Sequence, residues 1–245
     1  MSHAVSLSQE LLDELWDFGD ASASEQRILQ AVRSRERTPA ERAELETQHA
    51  RALGLQGRFD EADAVLDRIN FDSPAVATRI LLERGRLRNS AGRPAEAVPL
   101  FTGAASIAAR VGLTFLEVDA LHMLAISDAE RAEHWAREGL AALERAEDDR
   151  TRRWAVALHN NLGWSLHDAD RLEEALEEFS LALDAAIRFG ETDQRFSARW
   201  VYARGLRSLG RMREALALQH ELAAERPDDA DVAEELAILA TTPGD

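Results

Sequence analysis

A six-residue pattern recurs four times along this chain and limits the folds that the chain can adopt. Each copy reads Gly or Asp, then Arg, two variable residues, Glu and Ala, and the copies occupy residues 57–62, 92–97, 170–175 and 210–215. The terminal alanines are separated by 35, 78 and 40 residues. Because 78 is two periods of 39, we expect a degenerate copy in the middle gap, where Ser127 and Asp128 lead into residues 129–143.

A small residue stands twelve positions before each of these alanines, at Ala50, Gly85, Gly163 and Ala203. A helical hairpin explains both regularities, because one small residue in each helix lets the two backbones approach closely. The motif between them supplies glycine for a left-handed helix end, and an aspartate or a residue before proline for the next helix start. Apolar residues then follow at helical spacing and form the packed stripe: Leu66, Ile69, Phe101, Ala104, Phe179, Ala182 and Leu222.

The pattern predicts helices along the whole chain. Their expected bounds are 7–16, 24–35, 39–54, 59–70, 74–91, 94–111, 114–126, 128–147, 152–168, 171–189, 192–209, 211–226 and 229–240. Thr38 and Glu41 form a predicted capping box. In the last helix, Val232, Leu236 and Leu239 fit one apolar face, and we expect Glu234 and Glu235 on the opposite, polar face of a terminal cap. No linker-like segment interrupts the chain, so we expect one domain over 1–245.

Two stretches resemble the tetratricopeptide repeat. One runs from Asn160-Asn161-Leu162-Gly163-Trp164 through Leu172-Glu173-Glu174-Ala175 to Phe179 and Ala182, and the other from Tyr202-Ala203 through Ala215 to Pro227. The resemblance covers about residues 38–227 and departs most around Ala125, where the turn is short, and at Gln219, which replaces a large apolar residue.

The resemblance implies an all-α fold, a right-handed α-α solenoid of about five helix hairpins. A divergent N-terminal helix pair (1–37) would precede the repeats (38–227), and a capping helix and tail (228–245) would follow them. The family period is about 34 residues, whereas the copies here are 35 to 40 residues apart. This implies longer helices, as in relatives that bind peptides along an inner groove.

Composition narrows the function classes. The chain of 245 residues has no cysteine, which excludes disulfides and thiolate metal sites and fits a reducing, bacterial-type cytoplasm. Its net charge of −16 disfavours nucleic-acid and anionic membrane partners. No membrane-spanning stretch or signal peptide is expected. No histidine pair has ligand spacing, and no phosphate loop or nucleophile elbow occurs. We therefore expect neither a cofactor nor catalysis.

The first helix of each pair lines the concave surface in the family. The positions that face the groove there supply five arginines, including Arg51, against three acids, although the whole chain has 29 basic and 45 acidic residues. Arginine forks match carboxylates or phosphates, and tryptophan supplies flat apolar area. We expect a protein or peptide partner, anionic or bound by its C-terminal carboxylate. The candidate binding residues are Arg79, Arg86, Asn89, His122, Asn160, Asn161, Trp164, His167, Trp200, Arg204 and Arg207.

Less specific interpretations remain open. The groove arginines can pair with Glu83, Asp119 or Asp168 and bind nothing. Pockets among Trp164, Trp200, Arg204 and His122 can hold a small anionic ligand instead of a peptide, and two copies can associate as a homodimer. The four motif arginines, Arg58, Arg93, Arg171 and Arg211, are expected to cap turns, and Trp16, Trp135 and Trp154 to pack in the core.

Overall fold

The computed structural model describes residues 7–241, and the ends of the predicted 1–245 domain lie outside the described residues. The described chain is helical and contains no strand, so the all-α prediction is confirmed. The helices are α1 (Gln9–Leu15), α2 (Ala21–Arg33), α3 (Pro39–Leu55), α4 (Phe59–Arg68), α5 (Pro74–Ser90), α6 (Pro94–Val111), α7 (Thr114–Ser127), α8 (Ala132–Leu143), α9 (Asp149–Arg152), α10 (Trp154–Asp168), α11 (Leu172–Phe189), α12 (Thr192–Ser208), α13 (Met212–Glu225) and α14 (Ala230–Thr241). No helix among these residues is both long and apolar enough to cross a membrane.

The chain forms two compact units that meet in sequence at Ala129 and Glu130. The N-terminal unit contains α1–α7, and the C-terminal unit contains α8–α14. In the first, α3 and α5 each pack on the helix that follows and also on each other; in the second, α10 and α12 do the same. Each unit is therefore built from antiparallel pairs whose first helices are neighbours. That the whole chain folds as one domain stays a prediction.

The predicted hairpin turns have the expected left-handed residue. Gly57, Gly92 and Gly210 have φ values of 75°, 73° and 76°, and Asp170 takes the same position with φ 58°. The following amide donates back to a carbonyl of the first helix, as in Arg58 N to Leu53 O at 3.0 Å. This is the bond that ends a helix at a left-handed residue. The motif therefore marks the same turn in all four copies.

Each motif arginine pairs with the motif glutamate three residues later. Arg58 Nε donates to Glu61 Oε1 at 2.8 Å, and Arg171 Nε donates to Glu174 Oε1 at 2.7 Å. The other two copies repeat the pair between Arg93 and Glu96 and between Arg211 and Glu214. These arginines also stand at the N-cap positions of α4, α6, α11 and α13. We call this arrangement the turn clasp.

Small residues hold the paired helices close together. An added Cβ at Gly85 would meet Phe101 Cε1 at 2.4 Å, and one at Gly163 would meet Phe179 Cε1 at 2.4 Å. The four motif alanines, Ala62, Ala97, Ala175 and Ala215, are at most 1% exposed. In these two pairs the core is thus an aromatic ring set against a bare backbone, whereas the ring position holds Leu66 in the pair of Ala50 and Gln219 in the pair of Ala203.

The degenerate copy differs from the other four because it lacks a left-handed residue. The first helix, α7, ends at Ser127, a single 3-10 turn covers Ala129–Arg131, and α8 begins only at Ala132. The prediction that the second helix begins at 128 was therefore wrong by one turn. Ala136, midway between Ala97 and Ala175, is nevertheless 1% exposed and packs as a motif alanine does.

The predicted capping box at Thr38 and the predicted C-terminal capping helix are both present. Thr38 Oγ1 accepts from Glu41 N at 3.2 Å while Thr38 N donates to Glu41 Oε2 at 2.7 Å, so the capping box is confirmed. The helix α14 packs on α13 and α12 through Val232 and Leu239. It begins at Ala230 and ends at Thr241, close to the predicted 229–240.

Candidate binding sites

Three predicted residues of the C-terminal unit form a stack. The guanidinium carbon of Arg204 lies 5.0 Å from the ring centroid of Trp164 on α10 and 5.0 Å from that of Trp200 on its own helix, α12. Trp164 is held in place by Phe179, whose ring centroid is 4.9 Å away. We call Trp164, Trp200, Arg204 and Arg207 the tryptophan–arginine cluster.

One buried carboxylate serves both arginines of the cluster. Arg207 donates to Glu235 from Nε at 2.8 Å and from Nη2 at 3.1 Å, and Arg204 Nε lies 3.1 Å from Glu235 Oε1. Glu235 is 4% exposed, so the expectation that it lies on the polar outer face of α14 was wrong. Two guanidiniums on one carboxylate leave the cluster with one net positive charge.

The cluster also contains hydrogen-bond donors without a partner. The indole nitrogen of Trp200 is buried and finds no acceptor in the described part of the chain. Arg204 Nε is likewise buried without an aligned hydrogen bond, although it lies within ion-pair distance of Glu235. Because an unmet buried donor costs free energy, an acceptor brought by a ligand would stabilise this arrangement.

The remaining predicted residues of α10 flank the cluster. The imidazole of His167 packs edge-on to Trp164 at 5.2 Å, and its Nε2 is 2.9 Å from Ser208 Oγ. Asn160 lies one helical turn before Trp164, and both Asn160 and Asn161 are half-buried. The structure therefore brings Trp164, His167, Trp200, Arg204 and Arg207 together.

In the N-terminal unit, two predicted arginines are neutralised within the unit. Arg79 is 7% exposed, and its Nε donates to Glu44 Oε2 at 3.0 Å. Arg86 donates to Glu83 and to Asp119, the latter at 2.5 Å. The pairing that the sequence left open is present here with Glu83 and Asp119, whereas Arg204 and Arg207 pair with Glu235 instead of Asp168.

Burial and charge set the protonation of this network. Burial lowers the pKa of Arg86, but Asp119 and Glu83 more than offset it, so the pKa is raised. For Asp119, burial raises the pKa, but Arg86 and Arg51 outweigh burial and hold the pKa below its usual range. Burial lowers the pKa of the His122 imidazole, opposed by Asp119 and assisted by Arg86. Asn89 lies beside the network and accepts from Ser127 Oγ at 3.1 Å.

The sequence predicts that Arg51 faces the groove, but Arg51 was not among the candidate binding residues. In the structure it contacts two aromatic rings and lines a cleft. Its guanidinium carbon lies 5.5 Å from the ring centroids of both Trp16 and Phe18, which stack at 5.0 Å and 3°. Trp16 thus contacts a groove arginine in addition to packing, and its Nε1 donates to Gln48 at 3.0 Å. Arg51 lines a cleft of about 160 Å³ together with Arg86 and Glu83.

Sequence reasoning misplaced Glu235, the acid that completes the tryptophan–arginine cluster, but anticipated Glu83 in the N-terminal unit. Glu235 shares a helix face with Val232 and Leu239, which lie three residues before and four residues after it. That spacing indicates the buried face of α14 for Glu235, whereas the prediction placed Glu235 on the polar face because it is charged. Glu83 lies on α5 three residues before Arg86, and was anticipated only as a neutralising partner.

Comparison with solved structures identifies the fold, whereas comparison by sequence finds no match. The sequence matches no family model and no curated protein. Apo RapI superposes with a TM-score of 0.71 at 13% identity, covering 94% of this chain and 70% of RapI. A Podosopora anserina protein with nearly identical TPR-like repeats gives 0.58 at 17% identity, covering 73% and 92%. A Rap protein complexed with competence and sporulation factor gives 0.54 at 17% identity, covering 94% and 67%. The chain therefore has the tetratricopeptide-repeat fold.

Proposed function

We propose that this chain is a non-catalytic scaffold that holds a protein or peptide partner through the first helices of its pairs. The tryptophan–arginine cluster of the C-terminal unit is the proposed contact for a carboxylate of that partner, either an acidic side chain or the C-terminus. The observation that carries the proposal is Arg204, held between two indole rings while it shares one carboxylate with Arg207.

The chemistry of the cluster favours a carboxylate over other groups. Its two guanidiniums exceed its one acid, so an anion restores neutrality. Trp200 Nε1 has no acceptor among the described residues, and Arg204 Nε has an ion-pair contact with Glu235 but no aligned hydrogen bond, so a ligand oxygen would supply an acceptor that the cluster lacks. Arginine binds carboxylates through paired donors, and the indole faces bury the methylenes that carry the carboxylate.

Fold comparison and composition support a partner of this class. A Rap protein of the same fold is complexed with competence and sporulation factor, which supports a binding role for stacked helix pairs of this type. The net charge of −16 disfavours nucleic acid and anionic membranes. A cysteine-free chain suits a bacterial-type cytoplasm, which we propose as its location.

An affinity selection from a random peptide library tests this proposal. We expect peptides retained by the wild type to carry Asp, Glu or a free C-terminus at one register, and to lose about tenfold or more in affinity with Arg204→Gln. Arg199→Gln is the matched control, because Arg199 lies on the same helix and pairs with Glu225 instead of Glu235. Peptides that bind Arg204→Gln as tightly as the wild type would refute the proposed contact.

The wild type and Arg204→Gln also test the two alternative interpretations, a homodimer and a sensor of a small anion. Sedimentation at high concentration should give the 27.2 kDa monomer, whereas a dimer that Arg204→Gln dissociates would make a second copy the occupant. If no peptide is retained but simple dicarboxylates shift the Trp164 and Trp200 fluorescence, the cluster is a small-anion sensor and the scaffold proposal fails.

A further inference from the structure

The cleft beside Arg51 differs in chemistry from the tryptophan–arginine cluster. Its apolar wall is formed by Leu55, Leu87 and Met123, and its polar wall by Arg51, Arg86, Glu83 and Ser90. A volume of about 160 Å³ corresponds to roughly five water molecules. That is room for one side chain of a few heavy atoms, and Leu55 at the cleft remains 55% exposed and available to contact it.

The donor of the cleft is Arg51. Its guanidinium rests on the faces of Trp16 and Phe18 and forms no ion pair with any acid between residues 7 and 241. Burial is the largest influence on its pKa, which is lowered; Arg86 lowers the pKa further, whereas Glu83 and Asp119 oppose the shift without contacting the guanidinium. Arg51 is therefore a half-buried cation that no acid of the described chain neutralises by direct contact.

The acceptor of the cleft is Glu83. This side chain is 2% exposed, and its Oε1 accepts from Arg86. Its Oε2 is buried and has no hydrogen-bond partner within the described chain. A buried carboxylate oxygen without a donor is costly, so a ligand N–H that reached it would contribute favourably.

The charges of the cleft already balance. Arg51 and Arg86 supply two positive charges, Glu83 supplies one negative charge, and Asp119, which pairs with Arg86 outside the cleft lining, supplies the other. A carboxylate would satisfy Arg51 but would leave one uncompensated negative charge next to Glu83. An ammonium group would do the reverse beside Arg51. A neutral group that accepts from Arg51 and donates to Glu83 meets both needs without adding charge.

We propose that this cleft binds a carboxamide, the side chain of a glutamine or asparagine in a peptide partner. The carbonyl oxygen accepts from Arg51, the amide N–H donates to Glu83 Oε2, and the methylenes lie against Leu87 and Met123. The proposal concerns the N-terminal unit alone and does not depend on a carboxylate site at Arg204.

Methyl NMR of methionine-labelled protein tests the cleft directly. The chain has three methionines, of which Met123 lines the cleft and Met212 lies in the other unit. The probes are N-acetyl-N′-methylamides of glutamine, glutamate and alanine, which share a backbone and differ in the side chain. We expect glutamine to shift the Met123 methyl with a dissociation constant on the order of millimolar, and glutamate and alanine to bind several-fold more weakly. Met212 should not move.

Glu83→Gln then reverses the preference. It removes the acceptor and gives the cleft one net positive charge, so the glutamine probe should weaken about fivefold and the glutamate probe should become the tighter ligand. Glu36→Gln is the control for the substitution itself, since Glu36 is exposed and lies outside the cleft lining, and it should keep the wild-type order. The proposal is overturned if glutamate or alanine binds the wild type as well as glutamine does. It is equally overturned if no probe shifts Met123 at about ten times the expected dissociation constant. Neither result bears on the peptide contact at Arg204.

Discussion

At the scale of single residues, Asp170 adopts the left-handed backbone conformation that glycine adopts in three other turns. Its φ of 58° lies in the left-handed region beside the 73–76° of Gly57, Gly92 and Gly210. That region is open to glycine, accessible to aspartate and strained for β-branched residues. The equivalence of this turn with the others therefore depends on backbone conformation, which the two residue types share.

Asp170→Val should lower the free energy of unfolding by about 1–2 kcal/mol, because valine is strained at positive φ. Asp170→Gly should leave the melting temperature unchanged or raise it slightly. Thermal unfolding followed by circular dichroism measures both. Asp184→Val, the same change at an exposed position within α11, controls for the substitution itself. Equal effects at Asp170 and Asp184 would show that the turn carries no strain.

His122 predicts an acid response of the N-terminal unit. Because burial holds its pKa below the ordinary value, the unfolded state binds more protons than the folded state once the pH falls below about 6.5. Stability is therefore lost as the pH decreases through that value. The lowered pKa of Asp119 acts in the same direction only at much lower pH, below about 4.

His122→Gln should reduce the loss of melting temperature between neutral pH and pH 5.5. His220→Gln, at an exposed position of α13, should not change that loss. If His122→Gln loses as much melting temperature between neutral pH and pH 5.5 as the wild type and His220→Gln do, the neutral state of His122 does not contribute to folding.

Sequence and structure agree at residues whose role is local. The left-handed turns, the capping box at Thr38 and the close contact at Gly163 follow from spacings of three to sixteen residues. Arg51 and Glu235 were misjudged because their roles depend on distant partners: Arg51 reaches Trp16, and Glu235 receives Arg204 and Arg207. A single sequence shows which residues share a helix face but does not show which acid lies opposite which arginine.

At the scale of secondary-structure elements, α14 is more than a polar end cap. It covers α13 with Val232 and Leu239 and inserts Glu235 toward α12. The helix therefore sets the charge of the tryptophan–arginine cluster, although it follows the last recognisable repeat.

Glu235→Gln should lower the free energy of unfolding by about 1–3 kcal/mol, because it leaves two guanidiniums without their shared carboxylate. Glu234→Gln, the same change one residue earlier on the exposed face of α14, should have an effect within about 0.5 kcal/mol. Urea unfolding of the two variants against the wild type measures the difference. Equal midpoints for Glu234→Gln and Glu235→Gln would contradict the role assigned to Glu235.

At the scale of the whole molecule, the chain divides into two compact units at a point where the repeat is most degenerate. The charged stretch at 147–153 contains the short helix α9 and lies within the C-terminal unit. Periodicity located the repeats but did not reveal this division, because a degenerate turn and a linker look alike in sequence.

Hydrogen exchange of Gly85→Ala tests whether the units unfold together. An added methyl against Phe101 should destabilise the N-terminal unit by about 1–3 kcal/mol. If the chain is one cooperative domain, as we predict, the slowest amides of residues 130–241 should exchange faster as well. Acceleration confined to residues 7–129 would establish two domains. Gly103→Ala is the control, since its added Cβ meets only Leu81 Cδ1, at 3.3 Å.

The turn clasp has a consequence for how the chain acquires its structure. The clasp joins residues only three positions apart, and the left-handed residue beside it redirects the chain without help from any distant segment. Each hairpin can therefore begin to form as soon as its own residues are available, before the rest of the chain has been synthesised. Proteins dominated by such local contacts have low contact order and fold quickly. A nascent chain of this kind exposes its apolar stripes only briefly, which limits the time available for aggregation.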